Sequence, residues 1–438
     1  MPIEHTALHP ARGSGDGLTG EYFSSPDLSG TPVFTRTDRN VNFNWDKVVP
    51  VQGLQRNNYS VRWSGTFTPP APGEYKLGVR ANYCYACENQ EGFRLYLDGK
   101  LLVESGGQRT GERGAVMEAP VAFSDAQPHP IRLDYFHTTG TAGIDLTWQA
   151  PAAVLRDEAV EAAKGSEVTI AFVGLSPSLE GEEMPVKLAG FSGGDRTDIG
   201  LPRVQQELLE ALATTGKPLV VVLMNGSALA VNWAEQHAAA ILEAWYPGEE
   251  GGTAIAETLA GVNNPAGRLP VTFYASLDQL PPFDDYSMKN RTYRYFRGTP
   301  LYGFGYGLSY SQFAYSNLKL SASRFGAGQP LAVEVDVRNA SQIAGDEVAE
   351  LYLEKTENAP EHLVRALKAF ERVHLAPGET RHVTFTLTPR DLSLVTEEGE
   401  HAVLPGTYEV FVGGRQKAEG AGGLELRFEI TGEKKLPR

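Results

Sequence analysis

Three stretches in the middle of the chain, Val168 to Val173, Pro218 to Leu223 and Ala239 to Trp245, are apolar at nearly every position. A strand with one wet face alternates apolar and polar residues. Runs this continuous belong to strands covered on both faces, the condition of a parallel sheet between helices. Between the first two runs lies a helical crossover. Pro202 stands at its first position, Val204, Leu208 and Leu212 share one face, and Gly216 followed by Pro218 ends it. A second helix is expected over 253–259, after the turn Gly248-Glu-Glu-Gly-Gly252.

The flanks follow a different period. Tyr59 to Phe67, Gly73 to Arg80, Gly92 to Leu97, Ile131 to Phe136 and Gly143 to Trp148 are short, mostly alternating and separated by Pro- and Gly-rich turns, which predicts a β-sandwich over 15–150. Further on, Leu331, Val333, Val335 and Val337 point one way and Ala332, Glu334, Asp336 and Arg338 the other. The pattern returns at Val383 to Leu387 and Tyr408 to Val412, so a second sandwich of immunoglobulin-like size is expected over 326–432. An α/β part over 155–290 and a Pro-, Gly- and Tyr-rich connector over 291–325 lie between. The fold class is therefore multidomain, α/β plus all-β, which agrees with about 150 residues per domain in a chain of 438.

Charge narrows the partners. Asp and Glu number 54 against 39 Lys and Arg, and the net charge of −15 opposes binding to a nucleic-acid backbone or an anionic membrane. A neutral substrate is the easier match. No run of about eighteen apolar residues would span a membrane. The opening Met-Pro-Ile-Glu-His-Thr-Ala lacks the charged and apolar regions of a secretory leader, so the chain as written is expected in the cytoplasm. The His residues show no metal-ligand spacing, and no metal or cofactor is expected. Cys84 and Cys87 read as tolerated loop thiols or a local disulfide, because no thioredoxin-like βαβ unit surrounds them. Gly248 to Gly252 does not make a phosphate cradle: the Lys-Ser/Thr ending is missing, and Glu249 and Glu250 would repel phosphate.

Ligands of open α/β sheets collect beyond the carboxyl ends of the strands. The long polar loop after the first apolar run, from Ser176 to Asp195-Arg196, lies at such an end, and its Glu180 and Glu182 are the candidate catalytic carboxylates. The bland alternative is a pair of solvated loop carboxylates. Asp195-Arg196 reads as an ion pair bracing the loop, and the Tyr-rich run from Tyr286 to Tyr310 reads first as packing of the connector.

In this order, Glu180-Gly-Glu182 with Gly194-Asp-Arg196 and Leu201-Pro-Arg-Val-Gln205, Trp245-Tyr-Pro-Gly-Glu-Glu-Gly-Gly252 and Asn264-Pro-Ala-Gly-Arg-Leu-Pro-Val-Thr272 resemble the C-terminal part of the family 3 glycoside hydrolases, the β-glucosidases and β-xylosidases. The resemblance continues through Arg291-Thr-Tyr-Arg-Tyr295, Tyr302-Gly-Phe-Gly-Tyr-Gly-Leu-Ser-Tyr310, and Leu367-Lys-Ala-Phe370 with Pro377-Gly-Glu379. Gly20-Glu-Tyr-Phe23, Val61-Arg-Trp-Ser-Gly-Thr-Phe67, Gly73-Glu-Tyr75 and Phe93-Arg-Leu-Tyr-Leu-Asp-Gly-Lys100 resemble a PA14 domain.

The resemblance implies a PA14-like β-sandwich, an α/β sandwich with a mostly parallel sheet and a fibronectin type III-like β-sandwich. It also implies what is missing: the N-terminal TIM barrel whose Asp is the nucleophile, and the opening strand or strands of the α/β sheet. Retaining glycosidases need that nucleophile and an acid/base carboxyl about 5 Å apart. By the family's pattern Glu182 is the better match for the acid/base and Glu180 stands close behind; the insertion Met184 to Ser192 leaves the choice open. The implied activity is that of a β-xylosidase or β-glucosidase on oligosaccharides or aryl glycosides, with this chain inactive unless a separate barrel chain joins it. The loop Tyr83 to Glu91 is nominated as a cap over the substrate. A disulfide between Cys84 and Cys87 would suit a complete enzyme in the periplasm. An exposed sheet edge would favour a homodimer. The rival expectation is a carbohydrate-binding or adhesive module without catalysis.

Overall fold

The computed structural model describes residues 1–45, 48–81, 91–105, 116–177, 179–181, 186, 188–357, 363–396, 399–418 and 422–437. Glu182, Cys84, Cys87 and all but the last residue of the proposed cap at 83–91 lie outside them. The chain divides into two compact units, Met1–Ala162 and Ala163–Arg438.

In Met1–Ala162 the strands are β1 (Leu8–Pro10), β2 (Leu18–Phe23), β3 (Phe34–Asp38), β4 (Asn42–Asn44), β5 (Tyr59–Phe67), β6 (Gly73–Ala81), β7 (Glu91–Leu97), β8 (Lys100–Ser105), β9 (Met117–Phe123), β10 (His129–His137) and β11 (Gly143–Gln149). They build two antiparallel sheets. One runs β3-β2-β5-β10-β7-β8 with β1 on β5, and the other runs β4-β11-β6-β9. The alternation read from the sequence sets the core: Tyr59, Val61 and Trp63 of β5 and Leu133 and Tyr135 of β10 share one buried cluster with Tyr75, Leu77 and Val79 of β6 and Ile144 and Leu146 of β11. Each such side chain contributes roughly 1.5–3 kcal/mol of burial. The sandwich begins before residue 15, because Ile3 and Leu8 are core residues and β1 pairs Leu8 with Phe67. Helix α1 (Ala152–Lys164) spans the boundary in sequence between the two units.

Ala163–Arg438 opens with β12 (Thr169–Gly174), the short hairpin β13 (Phe191–Ser192) and β14 (Asp195–Arg196), and α2 (Arg203–Ala213). Then come β15 (Leu219–Met224), α3 (Asn232–His237), β16 (Ala240–Glu243) and α4 (Gly251–Leu259). The sheet order is β12-β15-β16, all parallel, with Phe172 beside Val222 and Val222 beside Leu242.

Three expectations for this part need correction. The first apolar run is not covered on both faces: Val168, Ile170 and Phe172 are 45%, 43% and 56% exposed, whereas Ala171 and Val173 are buried. Among the described residues β12 is an edge strand, with Ile170 and Phe172 exposed on that face. The buried face of α2 also differs in part: Leu212 lies on it as expected, but its other buried residue is Leu209. Leu209 and Leu212 are buried and Val204 is 56% exposed, because Gln205 turns toward the end of β12. Helix α4 starts at Gly251, two residues earlier than expected.

The remainder of this unit holds α5 (Thr292–Tyr295), β17 (Phe313–Leu320), β18 (Arg324–Gly326), β19 (Leu331–Asn339), β20 (Gly345–Lys355), β21 (Ala366–Leu375), β22 (Thr380–Leu387), α6 (Pro389–Leu392), β23 (Leu394–Val395), β24 (His401–Val403), β25 (Gly406–Gly413), β26 (Gly423–Thr431) and β27 (Lys434–Lys435). Sheets β17-β19-β22 and β18-β26-β25-β20-β21 face each other across one core, in which Leu331, Val333, Val335 and Val337 are fully buried. The end of the α/β part and the connector are tied to their neighbours by polar contacts. Arg268 pairs with Glu347 at 2.8 Å and donates to the Gly414 carbonyl at 3.0 Å, and the Tyr310 hydroxyl donates to the Thr258 carbonyl at 2.7 Å. Tyr293 stacks on Phe304 with ring centroids 4.1 Å apart, so much of the Tyr-rich run packs. Tyr286, by contrast, is exposed.

Candidate active site

The site is assembled where β12, β15 and β16 end. β12 stops at Gly174, which has a φ of +140°, and a Cβ there would lie 2.0 Å from the Met224 carbonyl oxygen. Only glycine fits. The side-chain amide of Gln205 fixes this point from α2, accepting from the Gly174 N–H at 2.7 Å and donating to its carbonyl at 2.9 Å. The chain then closes a tight turn in which the Leu179 and Glu180 amides both donate to the Ser176 carbonyl, at 2.9 and 3.0 Å. That turn presents Glu180.

Both carboxylate oxygens of Glu180 are held from the neighbouring strand ends. Ser227, three residues past β15, donates its hydroxyl to Oε1 at 3.0 Å. Tyr246, three past β16, donates its hydroxyl to Oε2. Arg196 on β14 donates to Ser227 Oγ at 2.8 Å and to the Ala228 carbonyl at 3.0 Å, so the serine is oriented before it reaches Glu180. Beside these groups an open cleft of about 550 Å³ is lined by Gly226, Ser227, Ala228, Trp245, Pro270 and Val271. The apolar walls and few convergent polar groups suit a small polar ligand with an apolar face.

The electrostatics follow from burial. Desolvation, and then the Glu180 hydrogen bond, hold the Tyr246 hydroxyl far above the ordinary tyrosine range, so it remains a donor at any working pH. Burial lowers the Arg196 guanidinium, and the negative charge of Glu180 acts in the opposite direction. Behind the cleft, burial pushes the Glu243 carboxyl up to about 7.

Of the two carboxylates singled out in the sequence, the structure brings Glu180 into this constellation, and Glu182 is outside the described residues. Asp195-Arg196 is not an ion pair: Asp195 is exposed, and Arg196 braces the site through Ser227, Ala228 and Gly200. The sequence reading missed Ser227, Tyr246, Asn225 and Glu243. The rule that drew attention to the end of β12 applies equally to β15 and β16, whose last residues run straight into Asn225-Gly-Ser227 and Trp245-Tyr246. Among the described residues no group of His, Cys, Asp or Glu is arranged to hold a metal ion.

Residues 32–310 match the glycosyl hydrolase family 3 C-terminal domain, and residues 347–416 match a fibronectin type III-like domain. A xylan 1,4-beta-xylosidase of Xylanibacter ruminicola is 36% identical over 402 residues, covering 91% of this chain and 45% of its own length. A periplasmic beta-glucosidase of Salmonella typhimurium is 37% identical over 339 residues, covering 75% of this chain and 40% of its own. Among solved structures, the beta-glucosidase from Kluyveromyces marxianus in complex with glucose superposes with a TM-score of 0.61 at 25% identity, over 99% of this chain and 52% of that one. The chain thus spans about half the length of the relatives it matches. With the family match covering well over half of its residues, the chain belongs to glycosyl hydrolase family 3.

Proposed function

We propose that this chain supplies the acid/base half of a retaining β-glycosidase acting on β-xylosides or β-glucosides, and that Glu180 is the proton donor. The observation that carries the reading is the position of Glu180: beyond the carboxyl ends of a parallel sheet, beside a cleft, with each oxygen fixed by a hydroxyl from a different strand end. In the first step a carboxyl so placed gives its proton to the leaving glycosidic oxygen while a carboxylate nucleophile takes the anomeric carbon. In the second step it accepts a proton from the water that releases the sugar. Fixing both oxygens supports this double role, since the group must return to the same position for each step. Glu182 is the alternative donor.

The nucleophile in this reading comes from outside residues 1–438. Two observations favour it: the chain covers about half of its relatives' length, and among the described residues β12 ends the sheet with an unpaired edge and two exposed apolar side chains, Ile170 and Phe172. Residues 15–150 are read as a PA14-like module that limits which sugars are accepted. Release of nitrophenol from aryl β-xylosides and β-glucosides by the purified chain is the test. Without a nucleophile the difficult half of the displacement is unassisted, so negligible turnover is expected. Brisk turnover by the pure polypeptide overturns the proposal.

A further inference from the structure

Both groups that hold Glu180 sit on segments anchored to a single side chain that touches neither of them. Glu243 is the last residue of β16, half-buried behind the cleft. Its Oε1 accepts the Trp245 backbone N–H at 3.0 Å, immediately before Tyr246. Its Oε2 faces the Asn225 amide at 3.4 Å, and the same Asn225 nitrogen donates to the Ser227 carbonyl at 3.0 Å. Trp245 has a φ of +54°, a left-handed conformation that a bulky residue rarely adopts unaided. The carboxylate of Glu243 satisfies the amide that this conformation turns inward.

We propose that Glu243 is the positioning residue of the site: one carboxyl ties the loop after β15 to the loop after β16, and so sets the spacing of Ser227 and Tyr246 on either side of Glu180. This rests on the reading of Glu180 as proton donor, but the tie itself is observable without catalysis. The rise of its carboxyl to about 7 reflects the burial such a position requires. A second feature sharpens the expectation. Asn225 Oδ1 is buried with no hydrogen-bond partner among the described residues. In Glu243→Gln the new carbonyl must face the Trp245 N–H, which cannot turn round, and the new amide then meets the Asn225 nitrogen donor to donor. Asn225 relieves this by rotating Oδ1 inward, which takes its nitrogen off the Ser227 carbonyl. The conservative variant therefore keeps one tie and breaks the other.

Amide hydrogen exchange on the full chain, read by mass spectrometry over 225–228 and 244–246, tests the idea. Glu243→Ala is expected to speed exchange about tenfold at the Trp245 amide, which loses its acceptor, and to speed it over 225–228 as that loop loosens, and Glu243→Gln to speed it only in 225–228. Asn225→Ala should match the Gln variant. Carbodiimide activation of the Glu180 carboxyl, followed by attack of an added amine with loss of the urea, should also quicken in Glu243→Ala as its hydroxyl partners drift away. Unchanged exchange in both segments of the Gln variant, or equal loosening of both, overturns the proposal. Should Glu243→Ala fail to fold, the Gln and Asn225 variants decide. Loss of the proton-donor reading would instead show as full activity of Glu180→Gln when combined with a family 3 barrel polypeptide, with the exchange pattern intact.

Discussion

At the scale of single residues, Gly226 marks where the site has little room beside Glu180 and Tyr246. A Cβ there would lie 2.7 Å from Tyr246 Cε2 and 3.4 Å from Glu180 Oε2. Gly226→Ala must therefore push the Tyr246 ring off Glu180. The phenol then loses the burial and the carboxylate contact that raise it. Spectrophotometric titration between about pH 9 and 11 should show one more ionising tyrosine than the wild type, a difference absent when Tyr246→Phe is added. An identical titration would mean the ring was never packed against this glycine. The residue scale is also where the sequence was least legible. Glu180 was visible as a loop carboxylate, but its ranking against Glu182 rested on spacing that an insertion had disturbed. Contacts made by Ser227 and Tyr246, 47 and 66 positions away, exist only after the strands pair.

At the scale of elements, periodicity was a good guide wherever a strand has one wet face. The alternation of β19 placed Leu331, Val333, Val335 and Val337 correctly, because each strand of a sandwich presents one face to a single core. It failed for β12 and α2. An apolar run records what a face is suited to bury, and not whether a neighbour is present, so the exposure of Ile170 and Phe172 had no local signal. The phase of α2 was set by Gln205, a polar residue drawn inward by the backbone of Gly174, which a hydrophobic count scores as outward. The connector shows the same competition. Just before it, the chain is held to the second sandwich by Arg268 and Glu347, 9% and 4% exposed, with the Tyr315 hydroxyl on the other carboxylate oxygen at 2.6 Å. Removing one partner of a buried pair leaves the other charge uncompensated. Arg268→Ala should cost about 3–5 kcal/mol in urea unfolding, and Arg268→Ala with Glu347→Gln together clearly less than the sum. Additive losses would place the two side chains outside any shared network.

On the scale of the whole molecule, the two units are expected to respond differently to acid. His137 in Met1–Ala162 is fully buried, and burial drives its imidazole down to about 4. The unfolded chain takes up that proton near pH 6.5, whereas the folded unit does so only near 4, so its contribution to stability is complete above about pH 6.5 and is lost as the pH falls between these values. The loss is about 3 kcal/mol. Urea unfolding followed through Trp45, Trp63 and Trp148 should weaken between about pH 7 and 4.5 in the wild type, and His137→Phe should flatten the dependence. Equal slopes would assign acid sensitivity to other groups.

The central claim, that Glu180 is the proton donor, is tested most directly by leaving-group dependence in the chain combined with a family 3 barrel polypeptide. A proton donor matters for a sugar leaving group and hardly at all for dinitrophenolate, which departs without help. The account predicts that Glu180→Gln lowers turnover of the disaccharide by at least about 10²-fold while largely sparing formation of the glycosyl-enzyme from the dinitrophenyl glycoside, and that Glu182→Gln does neither. Disaccharide turnover that survives Glu180→Gln, or is lost in Glu182→Gln instead, contradicts it.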